Sequence, residues 1–331
     1  MYEIKNRSEI LFLYDIQNAN PNGDPNDENK PRIDEETGNN IVTDVRLKRT
    51  IRDYIQEQSK EYDIFVREVI YDKEGHIQDA KLRASDYLPE DKEQLKKMPA
   101  EEQKQYIAKM ILEKCIDVRL FGATIPLDLK VDDGGKTKSV TSSITWTGPV
   151  QFKMGRSLHP VKIQHIKGTG AFASGDKSTK KTFREEYVVP YSLIAFHGVV
   201  NENAAKHTSL KAADIKLLKK AIWNGTKGLI SRSKFGQMPR LLLFVNYKQP
   251  DFFIGDLDNL IGLKSNNDIR PEQLRKPEDY RIDMSQLLDQ INKHKDKIEY
   301  IEYIADDRMS FVYDGKEIEL KKLEMFIKIS L

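Results

Sequence analysis

Two prolines placed just after a nearly unbroken apolar run set the first constraint on this chain. Residues 8–16 (SEILFLYDI) are long enough for a strand and too short for a core helix, and Pro21 and Pro25 then deny a continuing ladder its backbone donors. The strand must end near Asn18. The stretch that follows, NPNGDP at 20–25, is turn chemistry, and a helical period begins at residue 43. Thr43 suits an N-cap, Asp44 suits the positive end of the dipole, and Leu47, Ile51, Tyr54 and Ile55 recur on one face. Winding at 100° per residue sets Lys48, Arg49 and Arg52 beside that stripe, where they either grip successive phosphates or face solvent.

Charge distribution favours the first of these. The chain has 331 residues and a net charge of only +2, yet between Lys153 and Arg240 it carries 17 Lys and Arg against five Asp and Glu. A segment at +12 in a chain whose remainder is −10 is the footprint of a polyanion partner. No apolar run approaches a membrane span and the N-terminus lacks a signal-peptide core, which together predict a cytoplasmic protein with no membrane partner. The single cysteine, Cys115, falls on an apolar helical face with Ile107, Ile111 and Val118, as a buried structural thiol would.

Strands and helices alternate irregularly along the chain, which predicts an α+β fold and not a doubly wound sheet. Residues 58–118 read as an inserted subdomain: a hairpin turning at Gly75, then charged helices over 91–97 and 101–118. Asp132 to Gly135 has the composition of a mobile loop, and 142–152 that of a strand. Residues 161–189 form a protruding basic hairpin with its tip at 168–182, and 187–196 a strand whose Pro190 implies an edge or a bulge. A helix over 211–223 and a strand over 240–247 flank a Gly-rich loop, 225–239, whose Lys227, Arg232 and Lys234 suit phosphate. The C-terminal part predicts an Asp283-capped helix, a strand at 298–304, an Asp-Gly hairpin at 314–315 and a last strand at 325–329.

Several catalytic motifs fail on inspection. Residues 170–178 nearly spell a P-loop, but Asp176 stands where Lys must follow the second Gly. Asp24, Asn26, Glu28 and Glu35 fall on calcium-loop offsets, but Asn29 replaces the turn glycine. The six histidines show no zinc spacing. Asp15, Asp24, Asp27 and Asp34 either gather round a metal or solvate and cap turns, and the second use is the commoner. The expectation is a protein with no cofactor, no metal and no catalytic residues.

One set of motifs coincides in order. NPNGDP (20–25), PRID (31–34), VTDVRLKRTIR (42–52), DVRLFGA (117–123), GPVQF (148–152), GRS (155–157) and VPY (189–191) together resemble the CRISPR RNA-binding backbone subunit of type I CRISPR Cascade complexes, in the RAMP superfamily, Csh/Csd branch, subtype I-B. The resemblance spans residues 8–247. It implies an RRM-like (ferredoxin-like) palm over 1–57, 119–157 and 188–331, a helical fingers insertion over 58–118, and a protruding β-hairpin thumb over 158–187. It further implies a non-catalytic scaffold that polymerises as a helical filament of its own copies along CRISPR RNA, meets other Cascade subunits, and presents the guide to target DNA. The RNA-contacting residues it implies are Asn20, Asn22, Thr43, Lys48, Arg49, Arg52, Arg156, Lys162, Lys227, Arg232 and Lys234, with Phe172 as the thumb's wedge between bases. Two other functions stay open at this point: a metal-dependent ribonuclease backbone subunit of type III kind, using Asp24 or Asp34, and a stand-alone DNA-binding regulator.

Overall fold

The computed structural model describes residues 4–89, 97–133, 136–173, 181–266 and 268–331, without the side chains of 133, 169–173 and 181–184. The chain forms two compact units. One comprises Asn6–Ile51, Phe152–Val199 and Lys219–Leu331; the other is built mainly from Arg52–Gln151 and Val200–Leu218.

The larger unit is organised on a sheet whose first strand, β1 (Ser8–Ala19), is the apolar run itself. The other main strands are β2 (Asn39–Val42), β3 (Gly155–Pro160), β4 (Lys181–Val200), β5 (Met238–Tyr247), β6 (Ile298–Ala305) and β7 (Phe326–Lys328), in the spatial order β7-β6-β5-β1-β4-β3-β2. Helix α1 (Asp44–Gln58) follows β2, and α2 (Ala212–Gly228) lies between β4 and β5. Taken in chain order, β1-α1-β3-β4-α2-β5 is a βαββαβ unit with its four strands ordered β5-β1-β4-β3. Pairing is antiparallel between β1 and β5, β3 and β4, and β5 and β6, and parallel between β6 and β7.

The near-continuous hydrophobicity of β1 follows from burial on both faces. Leu11, Leu13, Leu241, Leu243 and Val245 share a core with Ile282, Leu287 and Ile291 of the C-terminal region. Phe12 and Tyr14, of opposite parity, stack on each other and on towards Phe196. The C-terminal region adds its own four-stranded sheet, ordered Gly262–Ser265, Tyr280–Asp283, Phe311–Tyr313, Lys316–Ile318. The expected C-terminal helix is Ser285–Lys293, but its N-cap is Met284 and not Asp283; Asp283 stands one residue earlier, its carboxylate accepting from Ser285 N at 3.0 Å. The strands expected at 240–247, 298–304 and 325–329 and the Asp-Gly hairpin all form.

Several local expectations need correction. Pro190 lies within β4, between β1 and β3, and not on an edge strand. It is placed where β4 exchanges partners: pairing with the hairpin strand Gln164–Ala173 reaches inward to Val188, and pairing with β3 is at Ile194 and Ala195. A missing N–H there breaks neither ladder. The basic hairpin forms from Gln164–Ala173 and the start of β4, with residues 174–180 of its tip outside the described residues. The 225–228 segment continues α2 and is not loop.

In the smaller unit, the segments that flank the predicted loop at 132–135, Gly122–Asp133 and Lys136–Thr147, pair as a long ribbon in unbroken antiparallel register. The Asp-Gly pair at 133–134 of the sequence is a hairpin signal consistent with that pairing. Residues 134–135 lie outside the described residues, as does most of the helix expected at 91–97. The helix expected over 101–118 is two, Ala100–Lys114 and Ile116–Phe121, broken where Cys115 adopts extended backbone. Cys115 is fully buried with Ile107, Ile111 and Val118, and burial pushes its thiol up to about 12. The hairpin at Gly75 reduces to a single bridge, Ile70 to Ile77. Among the described residues no helix is long and apolar enough to cross a membrane.

Candidate nucleic-acid interface

The site grows from the way β1 hands over to α1. Asn18 turns the chain through a positive φ, and Asn20 is then fixed by three bonds: its N–H to Ser233 O (2.9 Å), its side-chain amide to Asn29 O (2.7 Å), and its carbonyl accepting Lys234 Nζ (2.5 Å). Gly23 has to be glycine, since a Cβ there would lie 2.7 Å from the Asn29 carbonyl oxygen. Asn22 reaches the helix start, where its Oδ1 accepts from Thr43 N (2.8 Å) and Thr43 Oγ1 (2.9 Å). Thr43 Oγ1 in turn accepts from Arg46 N at 3.3 Å, the N-cap bond expected of it. Leu47, Ile51 and Ile55 face the interior as the helical period predicted.

Lys234 enters this cluster from the turn between α2 and β5. The N–H groups of Lys234 and Phe235 both donate to Ser231 O, and Gly236, at φ +95°, closes the turn. Burial, reinforced by the positive charge of Arg46, pushes the Lys234 ammonium down to about 8. Arg46 donates from Nη2 to Thr50 Oγ1 at 3.0 Å. Two cations thus sit close enough to repel, one of them hydrogen-bonded to a carbonyl, beside the N-terminus of a capped helix. Such a site attracts an anion.

Of the residues expected to contact RNA, the structure brings Asn20, Asn22, Thr43 and Lys234 together. The remaining cations are distributed differently. Lys48 lies 3.0 Å from Asp44, one turn back, with its side chain 12% exposed. Arg49 is exposed. Arg52 is committed within the chain: its Nε donates to Asp117 at 3.0 Å and its guanidinium lies 5.1 Å from the Phe121 ring centre. Asp117, fully buried, also takes the N–H groups of Phe65 and Val66. Arg156 meets Asp34 at 2.6 Å and Arg232 meets Glu186 at 2.9 Å, while Lys162 and Lys227 are exposed. Phe172 lies on the hairpin strand, and its side chain is outside the described residues.

Arg46 is the residue that sequence reasoning passed over. The same winding that puts Lys48 and Arg52 on one flank of the apolar stripe puts Arg46 and Thr50 on the other, the flank that meets Asn22 and Thr43. A second unforeseen feature is the footing of the basic hairpin. Tyr187 OH donates to Glu28 at 2.8 Å, Lys30 lies 5.2 Å from the Tyr187 ring centre, and His165 stacks on that ring at 4.6 Å. The hairpin is therefore anchored on the 20–31 loop.

The four candidate metal-binding acids do not converge. Asp24 pairs with Arg32 (2.8 Å), Asp27 with Lys30 (2.6 Å) and Asp34 with Arg156. Asp24 and Asp34 also cap local turns, accepting from Asn26 N and Glu36 N. Asp15 is buried against Arg240 (2.8 Å) and Tyr191 OH (2.7 Å), and burial holds its carboxyl above the usual range despite the arginine. Elsewhere among the described residues His197, Asp256 and Asp258 approach one another, but Lys153 Nζ already bridges the two aspartates at 2.5 and 3.0 Å.

Residues 6–285 match the family described as CRISPR-associated protein Cas7. A protein of that description from Haloferax volcanii is 33% identical over 314 residues, covering 92% of this chain and 88% of that protein. Among solved structures, a chain of a CRISPR RNA-guided surveillance complex in a pre-nicking state aligns at TM-score 0.46 and 12% identity, over 76% of this chain and 84% of that one. A chain of another CRISPR RNA-guided surveillance complex aligns at 0.45 and 10% identity, over 94% and 95%. The chain belongs to the Cas7 family.

Proposed function

We propose that this Cas7-family chain is a non-catalytic backbone subunit of a type I CRISPR surveillance complex, of the Csh/Csd branch and subtype I-B, working in the cytoplasm. It holds CRISPR RNA by its phosphates and leaves the bases free to pair with target DNA. The observation that carries this reading is the paired cation site, Lys234 beside Arg46, set between the Asn20–Asn22 loop and the Thr43-capped end of α1. A phosphate there is attracted by both positive charges and carries no base information. Lys48, Arg49, Arg156, Lys162, Lys227 and Arg232 extend the track, those with carboxylate partners exchanging them for phosphate. Arg52 serves instead to seat α1 against Asp117.

The βαββαβ order supports an RRM-like palm made of 1–57, 119–157 and 188–331, with 58–118 as fingers and 158–187 as the thumb. Copies joined head to tail present a heterologous interface, which propagates as an open helix along the guide alongside other subunits of the complex.

Binding of single-stranded RNA across a salt series tests the site. The double variant Arg46→Ala, Lys234→Ala should bind unrelated sequences equally weakly, with a salt slope shallower by about 0.7 for each phosphate no longer held. Parent-like affinity and slope would place the grip elsewhere. In the same assay neither the guide nor a complementary strand should be cut in Mg²⁺ or Mn²⁺; cleavage abolished by Asp24→Ala would make the protein a ribonuclease.

A further inference from the structure

The turn that delivers Lys234 also carries two large apolar side chains in water, Ile230 at 72% and Phe235 at 65% exposure. Isolated exposed apolar residues are ordinary on any surface. Three features set these apart. First, the turn is fixed: Phe235 N donates to Ser231 O at 2.7 Å, and Ser233 O accepts from Asn20 N at 2.9 Å. The phenyl ring is therefore displayed from a pinned backbone and not from a loose strap. Second, Phe235 directly follows the lysine turned inward to Asn20, so ring and ammonium leave the backbone one residue apart. Third, the rest of the segment is cationic, with Lys227 and Arg232 exposed. A single-stranded nucleic acid offers a phosphate and an aromatic face in each repeating unit, which matches a cationic segment that displays one exposed ring.

Surfaces that hold single strands without reading sequence combine a cationic track with aromatic rings on which bases stack, every base having a π-face. We infer that Phe235 is a stacking platform for one base of the bound RNA, next to the nucleotide whose phosphate lies at Lys234 and Arg46, with Ile230 covering the edge of the same nucleotide. The inference rests on the phosphate-holding reading above and adds a base contact to it. It gives each protomer a fixed point that positions one base, and hence the register of its neighbours, without choosing its identity.

The test compares Phe235→Ala, Phe235→Trp and the parent on two oligonucleotides of equal length and charge, one an ordinary single-stranded RNA and one with abasic residues throughout. Phe235→Ala should weaken binding of the ordinary RNA by roughly 5- to 150-fold, the range for removal of one base–aromatic stack, with an unchanged salt slope. On abasic RNA it should match the parent. Phe235→Trp should bind ordinary RNA as the parent does and show indole quenching that abasic RNA does not produce. Thermal melts of both variants should overlay the parent, since the ring is exposed. Equal loss on abasic RNA, or a changed protein-to-nucleotide ratio on both, would make Phe235 a contact between proteins and overturn the inference. Parent-like binding of ordinary RNA by Phe235→Ala would overturn it while leaving the Lys234 site intact. A parent whose binding is insensitive to salt would remove the phosphate site and this inference together.

Discussion

Arg119 and Lys234 are both drawn out of water, and the chain treats them in opposite ways. Arg119, in the smaller unit, is fully buried and pairs with both carboxylate oxygens of Asp214, at 2.8 and 2.9 Å. Its remaining nitrogen donates to the carbonyls of Leu112 and Glu113, and its guanidinium lies 5.0 Å from the Tyr62 ring centre. Lys234, in the larger unit, has a carbonyl for a hydrogen-bond partner and the positive charge of Arg46 for company. A buried cation with a bidentate carboxylate fixes structure. A half-buried cation beside another cation raises the free energy of the unbound protein and lowers it again when an anion arrives. The difference between the two separates scaffold from site without reference to any relative.

The largest expected effect tests the scaffold half of that contrast. Arg119→Ala strands the Asp214 carboxylate in the interior and should cost about 3–5 kcal/mol in denaturant or thermal unfolding, with little dependence on salt. Replacing both partners by apolar residues of similar volume should recover much of the loss, because the stranded charge goes with its partner. If Arg119→Ala costs less than about 1 kcal/mol, the pair is not a structural pin and the contrast fails.

The site half is sharpened by pH. The folded-state pKa of Lys234, about 8, lies below its ordinary value of 10.5. Between those values the unfolded chain binds more protons than the folded one, so this group makes stability rise with pH across the window. RNA binding should run the other way. A phosphate draws the pKa back up, so binding takes up a proton and affinity falls as pH passes from about 8 toward 10.5, by at most about 300-fold if the ordinary value is fully restored. Affinities measured at pH 7.5 and 9.5 for the parent and Lys234→Arg check this. Arginine keeps its charge throughout, and its binding curve should stay flat. A parent as flat as the arginine variant would mean that no anion reaches Lys234.

Legibility in the sequence tracked how local each determinant was. The end of β1 at the prolines, the Thr43 cap and the faces of α1 and the C-terminal helix depend on neighbours within a few residues, and the structure agrees with them. Family membership was legible from the motifs because several of them occur together and in order along the chain. The break at Cys115 and the place of Pro190 depended on partners far along the chain. So did the fate of the cations. Periodicity puts Lys48 and Arg52 on a flank, but it cannot say that Asp117, 65 residues on, takes up Arg52, or that Lys234 reaches back to Asn20. The pairing of Gly122–Asp133 with Lys136–Thr147 differs for another reason: composition marks only the loop-like residues between the two strands, whereas the Asp-Gly pair in the sequence is a hairpin signal.

The smallest effect expected concerns a cation of a third kind, exposed and paired. Arg232 meets Glu186 at 2.9 Å, with the two side chains 55% and 33% exposed. Surface pairs of this sort contribute about 0.2–1 kcal/mol, so Glu186→Gln should barely move the melting temperature. Its effect on RNA should be of opposite sign to that of a removed cation. In the parent a phosphate arriving at Arg232 has to displace the carboxylate, and counterion release is reduced by the charge already present. Without Glu186 the guanidinium is available from the start, and affinity should rise about two- to fivefold at low salt with a slightly steeper salt slope. The gain should vanish near 1 M salt, where the Debye length falls to about 3 Å. A loss of affinity would mean that Glu186 orients Arg232 for the phosphate instead of competing with it, and Arg232 would then belong with Lys234 among the pre-set contacts. An unchanged affinity would put Arg232 off the RNA track and confine the grip to the inner pair.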